Sequence, residues 1–289
     1  MPALERVRVY ASLVRLSHTV FALPFALSAL VLSRAQHHVP LTPARVAAIV
    51  LAVAAARTAA MGWNRLVDRD LDARNPRTAS REIPAGKVSP GAALWLVIVS
   101  AVLFAGAAAV LGPAPGLLAL PVLGVLLGYS HAKRFTWACH LWLGLALALA
   151  PGGAWIAVGA APSWGIAALM VGVMSWVAGF DVIYSLPDRD FDVSHDVHSI
   201  PARFGLAGAI RGARVLHVVT VLAFATAGVL MQRGVAYMAA VALTTALLVY
   251  EHTLVRADDL SRVDKAFFDM NGYVSAGFFA LTLLDEVLR

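Results

Sequence analysis

The sequence has few of the charged residues that a soluble domain carries at its surface. Among 289 residues, charged side chains make up 14% and hydrophobic ones 60%. An ordinary soluble domain contains about 25% charged residues, so the composition excludes that class and indicates a protein of the lipid bilayer. The net charge of +6 could suggest nucleic acid as a partner. Basic residues beside apolar spans are normally topology signals, so membrane lipid is expected and nucleic acid is not.

Cysteine is nearly absent, since Cys139 is the single one in the chain. One cysteine excludes an intramolecular disulfide framework and a CxxC zinc knuckle. Neither covalent staples nor structural zinc can therefore organise this chain. The fold must be stabilised by the packing of its helices.

Nine apolar runs are long enough to cross a membrane, which takes about 20 residues in a helix. They are rich in Ala, Leu and Val, and they lack the short alternating pattern of transmembrane β-strands. We therefore predict an all-α fold, a multi-pass bundle of nine transmembrane helices, formed by one membrane domain over residues 1–289. The runs are 16–33, 42–63, 91–111, 115–130, 137–159, 163–186, 213–231, 235–252 and 267–284.

Lys and Arg are distributed unevenly over the segments between the runs. Of the 23 basic residues, 18 fall on the side of the N-terminus, four fall on the opposite side, and Arg57 lies inside a run. Cytoplasmic loops carry the excess of Lys and Arg. The sequence therefore predicts a cytoplasmic N-terminus and a C-terminus that faces outward, with a bacterial cell membrane as the expected location.

Acidic residues are concentrated in two segments that are similar to each other. Nine of the 17 Asp and Glu residues lie in or just after these segments, Asn64–Asp72 and Asp181–Asp192. Each contains Asp-Arg-Asp, an apolar residue and a further Asp, at an offset of 120 residues, and an Ile-Pro-Ala follows each. These matches indicate an old internal duplication. Because the segments end the second and sixth runs, we expect both at the cytoplasmic face.

Helical spacing places the acidic residues of each segment in a stripe, because positions four apart lie on one face, about 6 Å per step. The stripes are Asn64, Asp68 and Asp72 in the first segment and Asp181, Tyr184, Asp188 and Asp192 in the second. Carboxylates that converge in a partly dry site need cations between them, either Mg²⁺ or Arg. Magnesium usually binds through one or two carboxylates plus substrate phosphates. The two stripes therefore predict a site for a diphosphate bridged by Mg²⁺.

The alternative to a metal site is that Arg and Asp residues three apart in the first segment form an ordinary salt-bridged helix end. Asp70 and Asp190 point away from the stripes, and we expect them to pair with arginines of the loops. Pro187 is expected to kink the sixth helix. The histidines are expected to be interfacial or packing residues, since no pair of them has zinc ligands nearby in the sequence.

A basic element, Tyr129–Thr136, follows the fourth run and lies on the same predicted side as the acidic segments. Lys133 provides a point charge and Arg134 a planar fork, which suit a diphosphate or a carboxylate. From spacing alone, the alternative is that Lys133 and Arg134 are only topology markers.

These three elements resemble those of the UbiA superfamily of intramembrane prenyltransferases, which has nine helices. That family carries an NxxxDxxxD motif after helix two, a DxxYxxxDxxxD motif after helix six and a YxxxKR element. All three are complete here, and the resemblance covers essentially the whole chain. They are met by Asn64, Asp68 and Asp72, by Asp181, Tyr184, Asp188 and Asp192, and by Tyr129, Lys133 and Arg134.

The resemblance implies transfer of a polyprenyl group from polyprenyl diphosphate to a ring carbon of an aromatic acid. The implied ligands of Mg²⁺ are Asp68, Asp72, Asp188, Asp192 and Asn64. The residues implied in substrate binding are Asn64, Arg65, Lys133, Arg134, Arg15 and Tyr129. An apolar bundle would shield the allylic cation from water once the diphosphate leaves.

Three residues are implied in catalysis: Asp181, Tyr184 and Arg134. Asp181 would orient the acceptor or assist its deprotonation. The ring face of Tyr184 would favour the allylic cation, and Arg134 would add hydrogen bonds to the leaving diphosphate. Arg15 would contact either the diphosphate or the carboxylate of the acceptor.

The acceptor itself is left open by two local resemblances. Asn75–Thr78 with Arg81–Pro84 is similar to the branch that prenylates 4-hydroxybenzoate for ubiquinone. His198–Gly205 is similar to a bacterial sub-branch assigned to menaquinone synthesis from a dihydroxynaphthoate. A more distant alternative is a transporter with an acidic site, although transporters place such charges near the midplane of the bilayer.

Overall fold

The structure, a computed structural model, describes residues 3–15, 19–37 and 41–289, and within these ranges it is helical without any β-strand. One isolated bridge joins Arg256 and Asp259. The all-α prediction is confirmed. The α-helices are α1 (Ala3–Leu13), α2 (Thr19–His37), α3 (Pro43–Val67), α4 (Arg69–Arg74), α5 (Pro90–Leu111), α6 (Pro113–Ala132), α7 (Cys139–Ala157), α8 (Trp164–Ser185), α9 (Arg189–Ser194), α10 (Ile200–Leu230), α11 (Val235–Leu254), α12 (Val263–Lys265) and α13 (Asn271–Val287).

Eight helical stretches of the described chain are long and apolar enough to cross a membrane, which confirms a multi-pass membrane protein. A ninth apolar helix, Phe21–Arg34, is shorter. It corresponds to the first predicted run, 16–33, whose residues 16–18 lie outside the described part of the chain. The described chain therefore has an apolar helix for each of the nine predicted runs, and the first of these helices is shorter than the others.

The sequence misplaced the start of the seventh span, which was predicted at residue 213. Helix α10 begins at Ile200, because Ser199 caps it: the Ser199 Oγ accepts a hydrogen bond from the Ala202 N–H at 3.2 Å, a strong start signal. The chain bends at Gly205, where φ is 69°. A residue without Cβ adopts this left-handed conformation readily.

The described chain divides into two compact units. The first contains the residues up to Thr19 and Val46–His131, and the second contains Val20–Arg45 and Ala132–Arg289. Each unit carries one of the two acidic segments. A single domain over residues 1–289 remains a prediction.

Buried polar groups within the second unit form hydrogen bonds between helices. The Trp176 Nε1–H of α8 donates to Asn271 Oδ1 of α13 at 2.7 Å. Asn271 is oriented for this bond because its Nδ2 donates to the Phe267 carbonyl, one turn earlier in the same helical stretch, at 2.9 Å. The Tyr237 hydroxyl donates to the Phe224 carbonyl at 3.1 Å. Such bonds hold helices together where surrounding lipid offers no hydrophobic driving force.

Close packing of α7 on α8 depends on a glycine. A Cβ at Gly144 of α7 would lie 2.3 Å from the Met174 carbonyl oxygen of α8. Only a residue without a side chain permits this approach of the two backbones. The contact fixes α7 against α8, and these helices carry His140 and Asp181, two residues of the candidate site.

Candidate active site

The first acidic segment keeps helical spacing across a break between two helices. Helix α3 ends at Val67, and Asp68 precedes α4 with φ −90° and ψ 0°. The Asp68 N–H still donates to the Asn64 carbonyl at 2.9 Å, and the Asp72 N–H donates to the Asp68 carbonyl at 2.8 Å. The predicted stripe of Asn64, Asp68 and Asp72 is therefore present, one helical turn per step.

Both carboxylates of this stripe are buried, with Asp68 1% and Asp72 5% exposed. The Asn64 Nδ2 donates to Asp68 Oδ2 at 2.9 Å. The Arg81 Nη1 donates to Asp72 Oδ1 at 2.6 Å, while the buried Asp72 Oδ2 has no hydrogen-bond partner among the described residues. A buried anion with one bonded oxygen and one unbonded oxygen fits a site that takes up a cation.

Arg81 reaches Asp72 because the chain turns back directly after α4. The Asn75 Oδ1 accepts a hydrogen bond from the Arg77 N–H at 2.9 Å, which forms an Asx-turn. The Thr78 Oγ donates to the Asp72 carbonyl at 3.0 Å. The Asn-Pro-Arg-Thr sequence is thus a turn that places Arg81 on the buried carboxylate.

Three further predicted binding residues lie in the first unit. Arg65 is 5% exposed, and its Nε donates to the Leu13 carbonyl at 3.4 Å. Arg15 follows α1 with a φ of 47°, and its carbonyl accepts a hydrogen bond from Arg57 Nη2 at 3.5 Å. Tyr129 is half-buried in the last turn of α6. The guanidinium groups of Arg57 and Arg65 therefore both hold the chain at the end of α1.

The second acidic segment repeats the backbone of the first. Helix α8 ends at Ser185, a 3₁₀ turn spans Leu186–Asp188, and α9 follows; a change of helix at Pro187 was predicted. Asp188 has φ −87° and ψ −5°, close to the values of Asp68. Helices α4 and α9 are each six residues long. The duplication seen in the sequence is therefore also a duplication of local structure.

Three side chains of the second stripe have contacts with other residues of the second unit. Asp192 is 8% exposed and accepts a hydrogen bond from Ser199 Oγ at 2.8 Å. Asp181 Oδ2 lies 2.7 Å from His140 Nδ1. The Tyr184 ring stacks on Phe267 with centroids 4.1 Å apart. Asp188, the remaining member of the stripe, is half-buried.

The part of the basic element that belongs to the second unit, with Lys133 and Arg134, is held through its backbone. The Lys133 carbonyl accepts a hydrogen bond from the His198 N–H at 2.8 Å. The Lys133 side chain is half-buried, whereas Arg134 is exposed. Lys133 is therefore fixed beside the segment that bonds to Asp192.

Asp70 and Asp190 point away from the stripes, and each pairs with an arginine of a segment between two apolar runs, as predicted. Their side chains are 76% and 88% exposed. Asp70 lies 3.7 Å from Arg69, and Asp190 lies 2.8 Å from Arg189. Both arginines lie in the segments between the runs, and the structure places each in the same short helix as its aspartate, α4 or α9.

The described residues contain no group of three or more His, Cys, Asp and Glu side chains that could hold a metal ion by themselves. Mg²⁺ ordinarily takes one or two carboxylates from the protein and completes its shell with water and substrate phosphates. The oxygen donors at Asp68, Asp72, Asp188 and Asp192 suit this hard cation. Asn64, which donates its amide to Asp68, retains an amide oxygen.

Two residues that contact the site carboxylates were not predicted from the sequence. Arg81 lies in the stretch Arg81–Pro84, which resembles the branch that prenylates 4-hydroxybenzoate, but no contact between Arg81 and Asp72 was predicted. His140 was included among the packing histidines, yet it contacts a predicted catalytic carboxylate. The available signal was its position in an apolar transmembrane run, where an ionisable residue is a functional candidate by default.

The fold and the two carboxylate sites define a multi-pass helical membrane enzyme, and comparison with known proteins gives its family. The sequence pattern of the UbiA prenyltransferase family matches residues 22–274. The chain belongs to this family and is a prenyltransferase. The transporter alternative is thereby excluded.

Individual relatives agree with this assignment. The chain is 30% identical over 227 residues to a 4-hydroxybenzoate octaprenyltransferase of Vibrio campbellii, with 78% of each chain covered. The apo structure of a UbiA homolog from Aeropyrum pernix K1 is 34% identical, with a TM-score of 0.84, and covers 93% of this chain and 98% of its own. A UbiA homolog from Archaeoglobus fulgidus bound to GPP and Mg²⁺ shares the fold, at 19% identity, a TM-score of 0.74, and coverage of 96% and 99%.

The pairing of Arg81 with Asp72 leads to a stability prediction. In metal-free buffer, Arg81→Met leaves a buried carboxylate without its cation, and we expect the free energy of unfolding to fall by about 3 kcal/mol. Unfolding in detergent micelles measures this loss. Arg69→Met, which removes an exposed partner, serves as the control with a loss of less than about 1 kcal/mol. If Arg81→Met costs as much in an Asp72→Asn background as in the wild type, the pair is not the cause.

Proposed function

We propose that this prenyltransferase moves a polyprenyl group from its diphosphate to a ring carbon of an aromatic acid of the 4-hydroxybenzoate type, in respiratory quinone synthesis. The observation that carries the proposal is the duplicated helix break, at which Asp68 and Asp188 have the same backbone conformation. Next to these breaks, Asp72 and Asp192 are buried. Duplicated buried carboxylates suit a donor that carries a diphosphate.

Mg²⁺ is the cofactor that this proposal requires. Asp68 and Asp72, with Asn64, would hold it in the first unit, and Asp188 and Asp192 would hold it in the second. When bound, the metal supplies Lewis-acid stabilisation of the charge that develops on the departing diphosphate. The Archaeoglobus fulgidus homolog bound to GPP and Mg²⁺ supports this choice of metal and donor.

Basic side chains provide the remaining contacts to the diphosphate. In the first unit these are Arg65 and Arg15, with the Tyr129 hydroxyl as a further donor. In the second unit they are Lys133, whose backbone is fixed by His198, and the exposed Arg134. Both kinds of cation bind phosphate oxygens, Arg through its fork and Lys as a point charge.

Two residues of α8 act where the new carbon–carbon bond forms. The Tyr184 ring stacks on Phe267, which fixes the plane of the ring, and an aromatic ring face can stabilise the allylic cation. Asp181, one turn earlier, orients the acceptor or assists its deprotonation. The apolar walls of the helices exclude water from the cation.

The curated relatives favour 4-hydroxybenzoate as the acceptor, because the Vibrio campbellii protein is named a 4-hydroxybenzoate octaprenyltransferase. A dihydroxynaphthoate remains the second candidate on the resemblance of His198–Gly205. We further propose that the N-terminus and both acidic segments face the cytoplasm, as the bias of Lys and Arg toward that side supports.

The carboxylate proposal is tested by paired substitutions. We expect Asp68→Ala or Asp188→Ala to reduce prenyl transfer below about 1% of the wild-type rate, because removal of one electrostatic contributor costs about 100-fold or more. The controls are Asp70→Ala and Asp190→Ala, two residues further on and exposed, which should stay near the wild-type rate. Removal of metal with EDTA should abolish transfer, and Mg²⁺ should restore it. Near-normal turnover by Asp68→Ala or Asp188→Ala would contradict the proposal.

The acceptor is tested with purified protein in detergent, Mg²⁺ and a long polyprenyl diphosphate, with 4-hydroxybenzoate and dihydroxynaphthoate offered separately. We expect prenylated hydroxybenzoate as the product, identified by mass spectrometry. Prenylated naphthoate as the sole product would place the protein in the menaquinone route and overturn the preferred acceptor.

A further inference from the structure

His140 is a buried histidine with a partner on each ring nitrogen. It is the second residue of α7 and is 3% exposed. Its Nε2 accepts a hydrogen bond from the Ile200 N–H at 3.3 Å, and its Nδ1 lies 2.7 Å from Asp181 Oδ2. A nitrogen that accepts from a backbone N–H carries no proton, so the neutral ring bears its proton on Nδ1 and donates it to Asp181. The two partners together select one tautomer and one ring orientation.

The same segment that selects this tautomer also bonds to the rest of the site in the second unit. Next to Ile200, the Ser199 hydroxyl donates to Asp192 Oδ2 at 2.8 Å. The His198 N–H donates to the Lys133 carbonyl at 2.8 Å. Three consecutive residues, His198–Ile200, therefore support a predicted metal ligand, a predicted diphosphate-binding residue and the imidazole that contacts Asp181.

We propose that His140 is the positioning residue for Asp181, an assignment that rests on the proposed aromatic prenyl transfer. The hydrogen bond engages Asp181 Oδ2 and leaves Oδ1 for the acceptor. Side chains locked by a second layer of hydrogen bonds hold reacting groups in productive geometry. The Asp181 side chain is 25% exposed, so without this bond it could turn toward solvent.

The reaction step in which the positioned carboxylate takes part is balanced as follows. The bond between C1 of the prenyl group and the diphosphate oxygen breaks, and its electron pair leaves with the diphosphate. C1 then bonds to the ring carbon of the acceptor, and the proton of that carbon passes to Asp181, which restores the aromatic ring. His140 keeps its own proton on Nδ1 and acts only by holding Asp181.

Substitutions that keep or remove the Nδ1 donor test the proposal. His140→Leu removes the donor, and we expect kcat/KM for the aromatic acceptor to fall about 10- to 100-fold, as for loss of a hydrogen bond to a charged group. His140→Asn keeps an N–H the same number of bonds from the backbone and should recover most of the activity. KM for the polyprenyl diphosphate should stay unchanged in both. His195→Leu, at an exposed histidine of the same unit, is the control.

The double variant distinguishes positioning from a general effect on folding. In an Asp181→Asn background, His140→Leu should cause little further loss, because residues that act through one another are non-additive. An equal loss in both backgrounds would contradict the proposal. So would a failure of His140→Asn to improve on His140→Leu in a folded protein.

A spectroscopic test does not depend on turnover. In protein labelled with ¹⁵N-histidine and held in lipid, the His140 signals, assigned by their absence in His140→Asn, should show a protonated Nδ1 and an unprotonated Nε2. The opposite tautomer would overturn the pairing. A wild-type protein that prenylates no aromatic acceptor would contradict the proposed function instead, and this spectrum would still decide whether His140 donates to Asp181.

Discussion

Both carboxylate sites depend on one constraint: carboxylates withdrawn from water at the ends of apolar helices must be bound by donors or cations. Four carboxylates each have one oxygen engaged by a different kind of donor. Asp68 is bound by an amide, Asp72 by a guanidinium, Asp181 by an imidazole and Asp192 by a hydroxyl. Leaving such groups unpaired in a low-dielectric setting is costly. The donors therefore fix the carboxylates before any ligand arrives.

A repeated backbone device sets up this arrangement. A long membrane helix ends before an aspartate, Asp68 or Asp188, and a helix of six residues begins directly after that aspartate. The next inward aspartate, Asp72 or Asp192, is buried, while the aspartate between them is exposed. Further along the chain, Arg81 donates a hydrogen bond to Asp72, and Ser199 donates one to Asp192. The two units thus present buried carboxylates in the same way but support them with different chemistry, a cation in one and a neutral hydroxyl in the other.

The features that follow from local periodicity could be predicted from the sequence. The membrane helices and the carboxylate stripes result from apolar length and helical spacing, and the motifs gave the family. The early start of α10 was missed, although Ser199 and Pro201 are a start signal, because the polar first turns did not resemble a membrane span. The contacts of Arg81 and His140 could not be predicted, since they depend on a turn and on the packing of α7 against α8. The pairing of Asp70 and Asp190 with arginines outside the apolar runs could be predicted, although the separate six-residue helices that carry these pairs could not.

The central claim is that the buried carboxylates bind the donor diphosphate through a divalent cation, and Mn²⁺ in place of Mg²⁺ makes this directly observable by electron paramagnetic resonance. The account predicts that a non-reactive prenyl diphosphate analogue tightens Mn²⁺ binding, because phosphate oxygens complete the coordination shell, and that the analogue in turn binds weakly without the metal. Equal affinity of the analogue in the presence and absence of Mn²⁺ would contradict the claim.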